Sequence, residues 1–296
     1  MRRGGASLSV SGYMAGPMSR PFLKMNGIGN DFVVVEARSA PFAPSEAEAR
    51  AIADRASGVG CDQLIAIEPS AKADAFMRIW NADGGQVEQC GNAARCVGWL
   101  ILEASGREHA TLDTPGGLLD VTRAGPKAIT VDMGKPGLDW RDIPLEEPMD
   151  TRGIELQVGP IDNPVLHTPG AVSMGNPHVI FFVKDAEVAP VREVGSMIEY
   201  HRLFPQRTNV EFCEVKARDR IRVRVWERGV GVTRACGTGA CAALVAASRR
   251  NLCDRTATVE MDGGDLLIEW RREDDHVLMT GPIEVEFTGK LPERLS

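Results

Sequence analysis

Several signals are missing from this 296-residue sequence, and each absence narrows the reading. No block of five or more Lys/Arg residues occurs and the net charge is −7, so the basic footprint of a nucleic-acid binder is lacking. No apolar run approaches the roughly 18 residues that cross a membrane as a helix. The seven cysteines are odd in number and irregularly spaced, which fits reduced cytosolic thiols and not a disulfide scaffold. Residues 1–20 carry two early arginines but not the apolar stretch of about 7–15 residues of a secretory leader. Rich in Gly, Ser and Pro, they read as an unstructured leader, with Met18 as an alternative translation start. What is present, 43% apolar and 25% charged residues, excludes disorder. The length favours two domains.

The chain repeats itself at an offset of 146. Gly29-Asn30 falls on Gly175-Asn176, Arg78 and Trp80 on Arg224 and Trp226, and Gly85 on Gly231. Cys90-Gly91 falls on Cys236-Gly237, and Val131, Met133 and Pro136 on Val277, Met279 and Pro282. Matches at the same landmarks in the same order indicate two copies of one α/β unit, about 21–136 and 165–285. The expected domains are a leader over 1–20, an N-terminal lobe over 21–136 and a C-terminal lobe over 137–281. A strand near 282–290 is available to complete the first lobe.

Local patterns agree between the copies. Phe32–Val35 and Val179–Val183 read as buried strands, and alternation over Arg220–Val225 as a half-exposed one. Pro44–Ser57, capped by Ser45, and Ala189–His201 read as surface helices. The small apolar segments after Cys90 and Cys236 read as buried helices. Each copy closes with a hairpin, Leu118–Thr122 with Ile129–Met133 and Leu266–Trp270 with Val277–Thr280. The fold class expected is α/β (α+β), two pseudo-symmetric lobes, each a mixed, mostly antiparallel sheet around a central helix. Residues 138–162, rich in Pro and acidic groups, read as the connection.

Two cysteines thus stand at equivalent helix starts, each followed by Gly and a small polar residue, Asn92 or Thr238. Free N–H groups and the dipole at a helix N-terminus favour an anion there. They can hold a carboxylate and can pull a thiol below its ordinary value of about 8.5. Two such thiols facing one carbon suit removal of a proton from one side and its return to the other. Three other readings stay open on spacing alone. The cysteines can be structural, as free Cys commonly is. They can be a redox dithiol. They can be metal ligands, although neither pair is CxxC and no His sits at ligand spacing.

The segments MNGIGNDFVVVEA (25–37), GVGCDQL (58–64), WNADGGQVEQCGNAARC (80–96), SMGNPHVIFFV (173–183), RTNVEFCEV (207–215) and WERGVGVTRACGTGACAA (226–243) resemble the diaminopimelate epimerases. These are cofactor-independent, two-cysteine amino-acid epimerases. The likeness spans nearly everything after residue 20. Asn26 stands where many relatives carry His, and the leader is extra. Proline racemases share the logic of Cys-Gly followed by a small polar residue, but not the flanking WNADG and ERGxG.

The resemblance implies that Cys90 and Cys236 are the acid/base pair. It implies that Gly91-Asn92 and Gly237-Thr238 lend donors to the substrate α-carboxylate. Asn81, Asn209, Glu227 and Arg228 are expected to contact the substrate, Asn30, Gln63 and Asn176 to complete the polar pocket, and His178 to assist near the reacting centre. The repeat supports the set, because Asn30/Asn176, Gln63/Asn209 and Asn81/Glu227 are equivalent pairs at offset 146. The implied activity is epimerisation of LL- to meso-diaminopimelate, for lysine and cell-wall precursor synthesis. No cofactor and no metal are expected; the chain is expected to be a cytoplasmic homodimer with a small-molecule substrate. A racemase for another amino acid on this scaffold, and a non-catalytic binding or redox protein, are the competing readings.

Overall fold

In the computed structural model, which describes residues 20–88 and 90–291, the repeat is visible strand by strand. The first half runs β1 (Arg20–Gly27), β2 (Asn30–Glu36), α1 (Glu46–Ala53), β3 (Gln63–Glu68), β4 (Ala75–Asn81), β5 (Gln86–Val87), α2 (Gly91–Ser105), β6 (His109–Thr114), β7 (Gly117–Gly125) and β8 (Ala128–Asp132). Two short strands follow, β9 (Gln157–Val158) and β10 (Leu166–His167). The second half runs β11 (Gly170–Ser173), β12 (Pro177–Val183), α3 (Val191–Glu199), β13 (Asn209–Ala217), β14 (Arg220–Glu227), β15 (Gly231–Thr233), α4 (Gly237–Arg249), β16 (Thr256–Met261), β17 (Gly264–Trp270) and β18 (Val277–Pro282), with β19 (Glu284–Leu291) last. Of the leader, only Arg20 falls inside the described residues, and it already belongs to β1.

Pairing repeats with the sequence. β1/β2 and β11/β12 are antiparallel, while β2/β3 and β12/β13 are parallel. Registers match at the offset: Phe32 faces Gln63, and His178 faces Asn209. Both halves then continue through antiparallel β3/β4 and β13/β14, parallel β4/β6 and β14/β16, and two terminal hairpins. The halves join where β8 pairs antiparallel with β18, making one 17-stranded sheet among the described residues. β19 returns to pair with β1, so a C-terminal strand extends the sheet of the first half.

Each curled sheet encloses one helix. α2 buries Gly91–Gly98, Ile101 and Leu102; α4 buries Gly237 and Gly239–Ala247. Small residues suit them, because strands surround each helix, although α2 also buries Asn92 and Arg95. Both helices share one core with Met25, Met133, Val172, Ile180, Val223 and Met279. Separate clusters lie under α1 and α3.

The surface helices are shorter than Pro44–Ser57 and Ala189–His201. Ser45 caps α1 in a capping box with Glu48, but Asp54 turns extended and its carboxylate accepts from Ala56 and Ser57 N–H, ending the helix. Pro190, with φ fixed and no N–H to give, sets the start of α3. The connection is more than a linker. Ile143, Leu145, Ile154 and Leu156 are buried against Phe181, Ile198 and Phe212.

Candidate active site

Cys90 is the N-cap of α2 and Cys236 the N-cap of α4, both with extended backbone. Extended geometry at the cap lets the chain leave a strand and enter a helix with the first N–H groups free of intrahelical partners. The Gly239 N–H donates to Cys236 Sγ at 3.4 Å, and Thr238 Oγ1 lies 3.5 Å from it. Cys90 Sγ contacts Asn30 Oδ1 at 3.8 Å, and Asn92 Nδ2 donates to the same oxygen at 3.4 Å. Cys236 is buried, Cys90 half-buried, and both are free thiols.

The glycines after the cysteines bring the two helix starts together. A Cβ on Gly91 would lie 2.6 Å from Met279 Cε, and one on Gly237 would lie 2.9 Å from Met279 Sδ and 3.3 Å from Asn92 Oδ1. Asn92, at the start of α2, therefore sits against the first residue of α4. Gly29 (φ 84°) and Gly175 (φ 88°) make the equivalent left-handed turns that aim Asn30 and Asn176 at the two helix starts.

The polar shells of the two thiols differ. Around Cys90, Asn30 Nδ2 donates to Asp62 Oδ2 at 2.9 Å, and Asp62 is held by Arg55 at 2.7 Å. Around Cys236, Asn176 Nδ2 reaches Thr238 Oγ1 at 3.5 Å, and Asn176 Oδ1 faces His178 Nε2 at 3.0 Å. His178 Nδ1 contacts Glu211 Oε1 at 2.7 Å, with both side chains wholly buried. Both ring nitrogens thus meet side-chain oxygens, one from Glu211 and one from Asn176. Glu211 was not among the residues singled out from sequence. The signal for it is a carboxylate two residues after Asn209 on the same strand, hence on the same face.

Glu227 ties the two shells into one electrostatic neighbourhood, because its carboxylate acts on both thiols. Its Oε1 accepts from Thr233 Oγ1 at 2.5 Å, and burial raises its proton affinity. Four of the expected site residues bond to one another in two pairs. Gln63 Nε2 donates to Asn81 Oδ1 at 3.0 Å, which leaves buried Gln63 Oε1 without a partner. Asn209 Nδ2 donates to the Pro177 carbonyl and its Oδ1 accepts from Arg228 N–H, each at 2.9 Å. The Arg228 side chain is exposed and donates to the Gln206 carbonyl at 3.0 Å. Among the described residues none of these four hydrogen-bonds to either cysteine.

One expectation is reversed. The helix starts do not bring the thiols below their ordinary value. Burial pushes Cys90 up to about 11, against the N–H groups of Ala93 and Asn92, and pushes Cys236 well upward, with Glu227 and Glu211 adding to it. Desolvation of a full charge outweighs two partial ones when both act on the same sulfur.

A sequence model of diaminopimelate epimerase matches residues 22–138 and 170–286, the two halves just described. The chain belongs to the diaminopimelate epimerase family. It is 60% identical to the diaminopimelate epimerase of Phenylobacterium zucineum over 94% of this chain and all of that one. It is 53% identical to that of Acidiphilium cryptum over 92% of this chain and 96% of that one. Among solved structures, a hydroxyproline epimerase from Agrobacterium vitis superposes with a TM-score of 0.65 at 16% identity, covering 92% of each chain. A phenazine biosynthesis protein of the PhzF family from Bacillus anthracis gives 0.64 at 15%, covering 93% of this chain and 99% of that one. At such identities these two speak for the fold alone. The fold is therefore shared well beyond the family, while the cysteine-bearing helix starts recur in both matched segments of this chain.

Proposed function

We infer that the chain epimerises LL-diaminopimelate to meso-diaminopimelate by a two-thiol mechanism that needs no cofactor. One observation carries the mechanism: two cysteines cap two adjoining central helices and share the Glu227 carboxylate as neighbour. Membership of the family carries the substrate.

The α-carbon of the substrate is a very weak acid, so negative charge must be stabilised on its carboxylate as the proton leaves. The N–H groups following Cys90 and Cys236 are fixed donors for that charge, with Asn92 and Thr238 beside them. One sulfur, as thiolate, takes the proton from one face; the other, as thiol, supplies a proton to the opposite face. The two sulfurs exchange roles in the reverse direction and titrate as a pair. A substrate filling the pocket brings an ammonium against Glu227, which offsets that carboxylate's share of the upward push that burial dominates on both thiols. Asn81, Asn209 and Arg228 are assigned to the distal amino-acid end, with Asn30, Gln63 and Asn176 lining the pocket and His178 assisting beside Cys236. Two lobes, about 21–136 extended by β19 and 137–281, would close over the substrate and exclude water. Action in the cytoplasm as a homodimer accords with the family likeness.

The test is conversion of LL-diaminopimelate in D₂O without added cofactor. Opposite-face protonation places deuterium early in the product while recovered substrate stays mostly protiated. Equal labelling of both pools from the start would mean a single shared base. Turnover of another amino acid in preference to diaminopimelate would favour the racemase alternative.

A further inference from the structure

The two equivalent asparagines of the site offer opposite ends of their carboxamides to the helix starts. Asn176 directs Nδ2 at Thr238 Oγ1 (3.5 Å) and Oδ1 at His178 Nε2 (3.0 Å). Asn30 does the reverse. Its Nδ2 turns away to Asp62 Oδ2 at 2.9 Å, and its Oδ1 faces Cys90 Sγ at 3.8 Å and Asn92 Nδ2 at 3.4 Å. The chemistry of the neighbours fixes the sense of this amide. A carboxylate only accepts, so the end against Asp62 is nitrogen and the end against Cys90 is oxygen. Asn92 agrees. Its own oxygen accepts from Arg95 Nη1 at 2.9 Å, and a guanidinium only donates, so nitrogen is what Asn92 has left for Asn30.

Asp62, the residue before Gln63 in GVGCDQL, is itself clamped. Its Oδ2 also accepts the Asp31 N–H at 3.0 Å, and its own N–H returns a bond to Asp31 Oδ1 at 2.8 Å. Arg55 Nη2 bridges Asp62 Oδ1 at 2.7 Å and Asp31 Oδ1 at 2.8 Å, and buried Lys24 bonds Asp31 Oδ2 at 2.6 Å. Two carboxylates and two cations balance in one cluster of charge-assisted bonds. None of it recurs in the second half, where Lys24, Asp31, Arg55 and Asp62 fall on Gly170, Pro177, His201 and Thr208 at offset 146. The cluster belongs to one half of the site and ends on an atom beside Cys90.

We propose that Asp62, clamped by Arg55, is a positioning residue that locks the Asn30 amide with its carbonyl toward Cys90. This thiol then meets an acceptor, whereas Cys236 meets the Gly239 N–H. Without Asp62 the amide is free to turn, and the carbonyl no longer holds the proton on Cys90. The proposal rests on the reading of Cys90 as one of the acid/base pair, and it names the residue that selects its hydrogen-bond partner.

The experiment is a double-mutant cycle of Asp62→Ala and Asn30→Ala, read by iodoacetamide alkylation of the substrate-free chain at one mildly alkaline pH, with the Cys90 and Cys236 peptides quantified separately. In the unaltered background Asp62→Ala speeds alkylation of Cys90 by about threefold or more and leaves Cys236 unchanged. In the Asn30→Ala background Asp62→Ala changes the Cys90 rate by less than about twofold, because the amide through which it acts is gone. A merely structural role moves the urea midpoint alike in both backgrounds and gives no such difference. In parallel, Asp62→Ala lowers kcat/KM for LL-diaminopimelate about tenfold when Asn30 is present. A Cys90 rate that Asp62→Ala leaves unmoved, that shifts equally in both backgrounds, or that shifts together with Cys236 overturns the proposal. If Asp62→Ala does not fold, Asp62→Thr takes its place in the cycle, because the second half carries Thr208 at the equivalent position and a hydroxyl, which donates as readily as it accepts, no longer dictates the sense of the amide. Alkylation uses no substrate, so a chain that shows the expected cycle yet does not epimerise diaminopimelate defeats the functional reading and not this one.

Discussion

At the scale of single residues, Cys90 and Cys236 show how burial and helix-end donors compete for one proton. Burial wins in the empty site, so the thiolate is scarce until a cationic substrate group arrives. Replacing either cysteine with Ala should abolish epimerisation, since each direction needs one thiolate and one thiol. A folded variant that keeps even about a tenth of the activity would exclude the two-thiol mechanism. Asn209 is a different case. Its amide bonds the Pro177 carbonyl and the Arg228 N–H, holding the turn after β14 against β12. Asn209→Ala therefore should raise KM and also lower stability by about 1–3 kcal/mol, because the buried Pro177 carbonyl and the part-buried Arg228 N–H lose their partner. Steady-state kinetics beside a urea titration separates the two effects, and an unchanged KM would remove Asn209 from the binding surface.

At the scale of elements, the central helices are shaped by what they must fit inside. Alanines and glycines line their buried faces because strands press on every side. A Cβ on Gly98 of α2 would come within 2.9 Å of Val121 Cγ2 and 3.1 Å of its Cβ on β7. A β-branched side chain anchored in a strand cannot swing away. Gly98→Ala should therefore destabilise by about 1–3 kcal/mol despite the better helix propensity of Ala, read as a lower urea midpoint. Stabilisation would mean that the sheet can breathe around α2. In the surface helix α1 the first turn depends on a capping box, and Ser45→Ala there should cost about 1 kcal/mol without touching activity.

At the scale of the whole molecule, the interior holds thiols that no reaction uses. Cys96 and Cys241, one on each central helix, are wholly buried and both pushed up to about 12 from an ordinary value of 9.0. A raised folded value means the native state keeps protons that the unfolded chain gives up. Stability from these groups is complete below about pH 9 and is lost as pH rises toward 12, by about 1.4 kcal/mol per unit for each thiol. Thermal midpoints measured from pH 7 to 11 should hold level and then fall. Cys241→Ala should flatten that fall while lowering stability at neutral pH, and an alkaline limb of unchanged slope would assign the fall to other groups.

How much of this was legible in the chain differs by kind of feature. The repeat at offset 146 held the two-fold architecture, the paired helix starts and the equivalent asparagine turns, because duplicated landmarks constrain both halves alike. Strand and helix identities followed from alternation and from small apolar runs, while helix ends were misjudged where Asp54 and Pro190 act through local backbone geometry. Three things were decided only by the tertiary structure. Glu211 became part of the site because parallel register lays β13 beside His178. Arg95 lost its solvent because Gly27 and Gly281, distant in sequence, close over it. The thiols rose rather than fell in proton affinity because two curled sheets meeting at β8 and β18 remove water from both helix starts. Composition and spacing specify which groups are present and in what order; how far each is from water is a sum over neighbours that only the folded chain brings together.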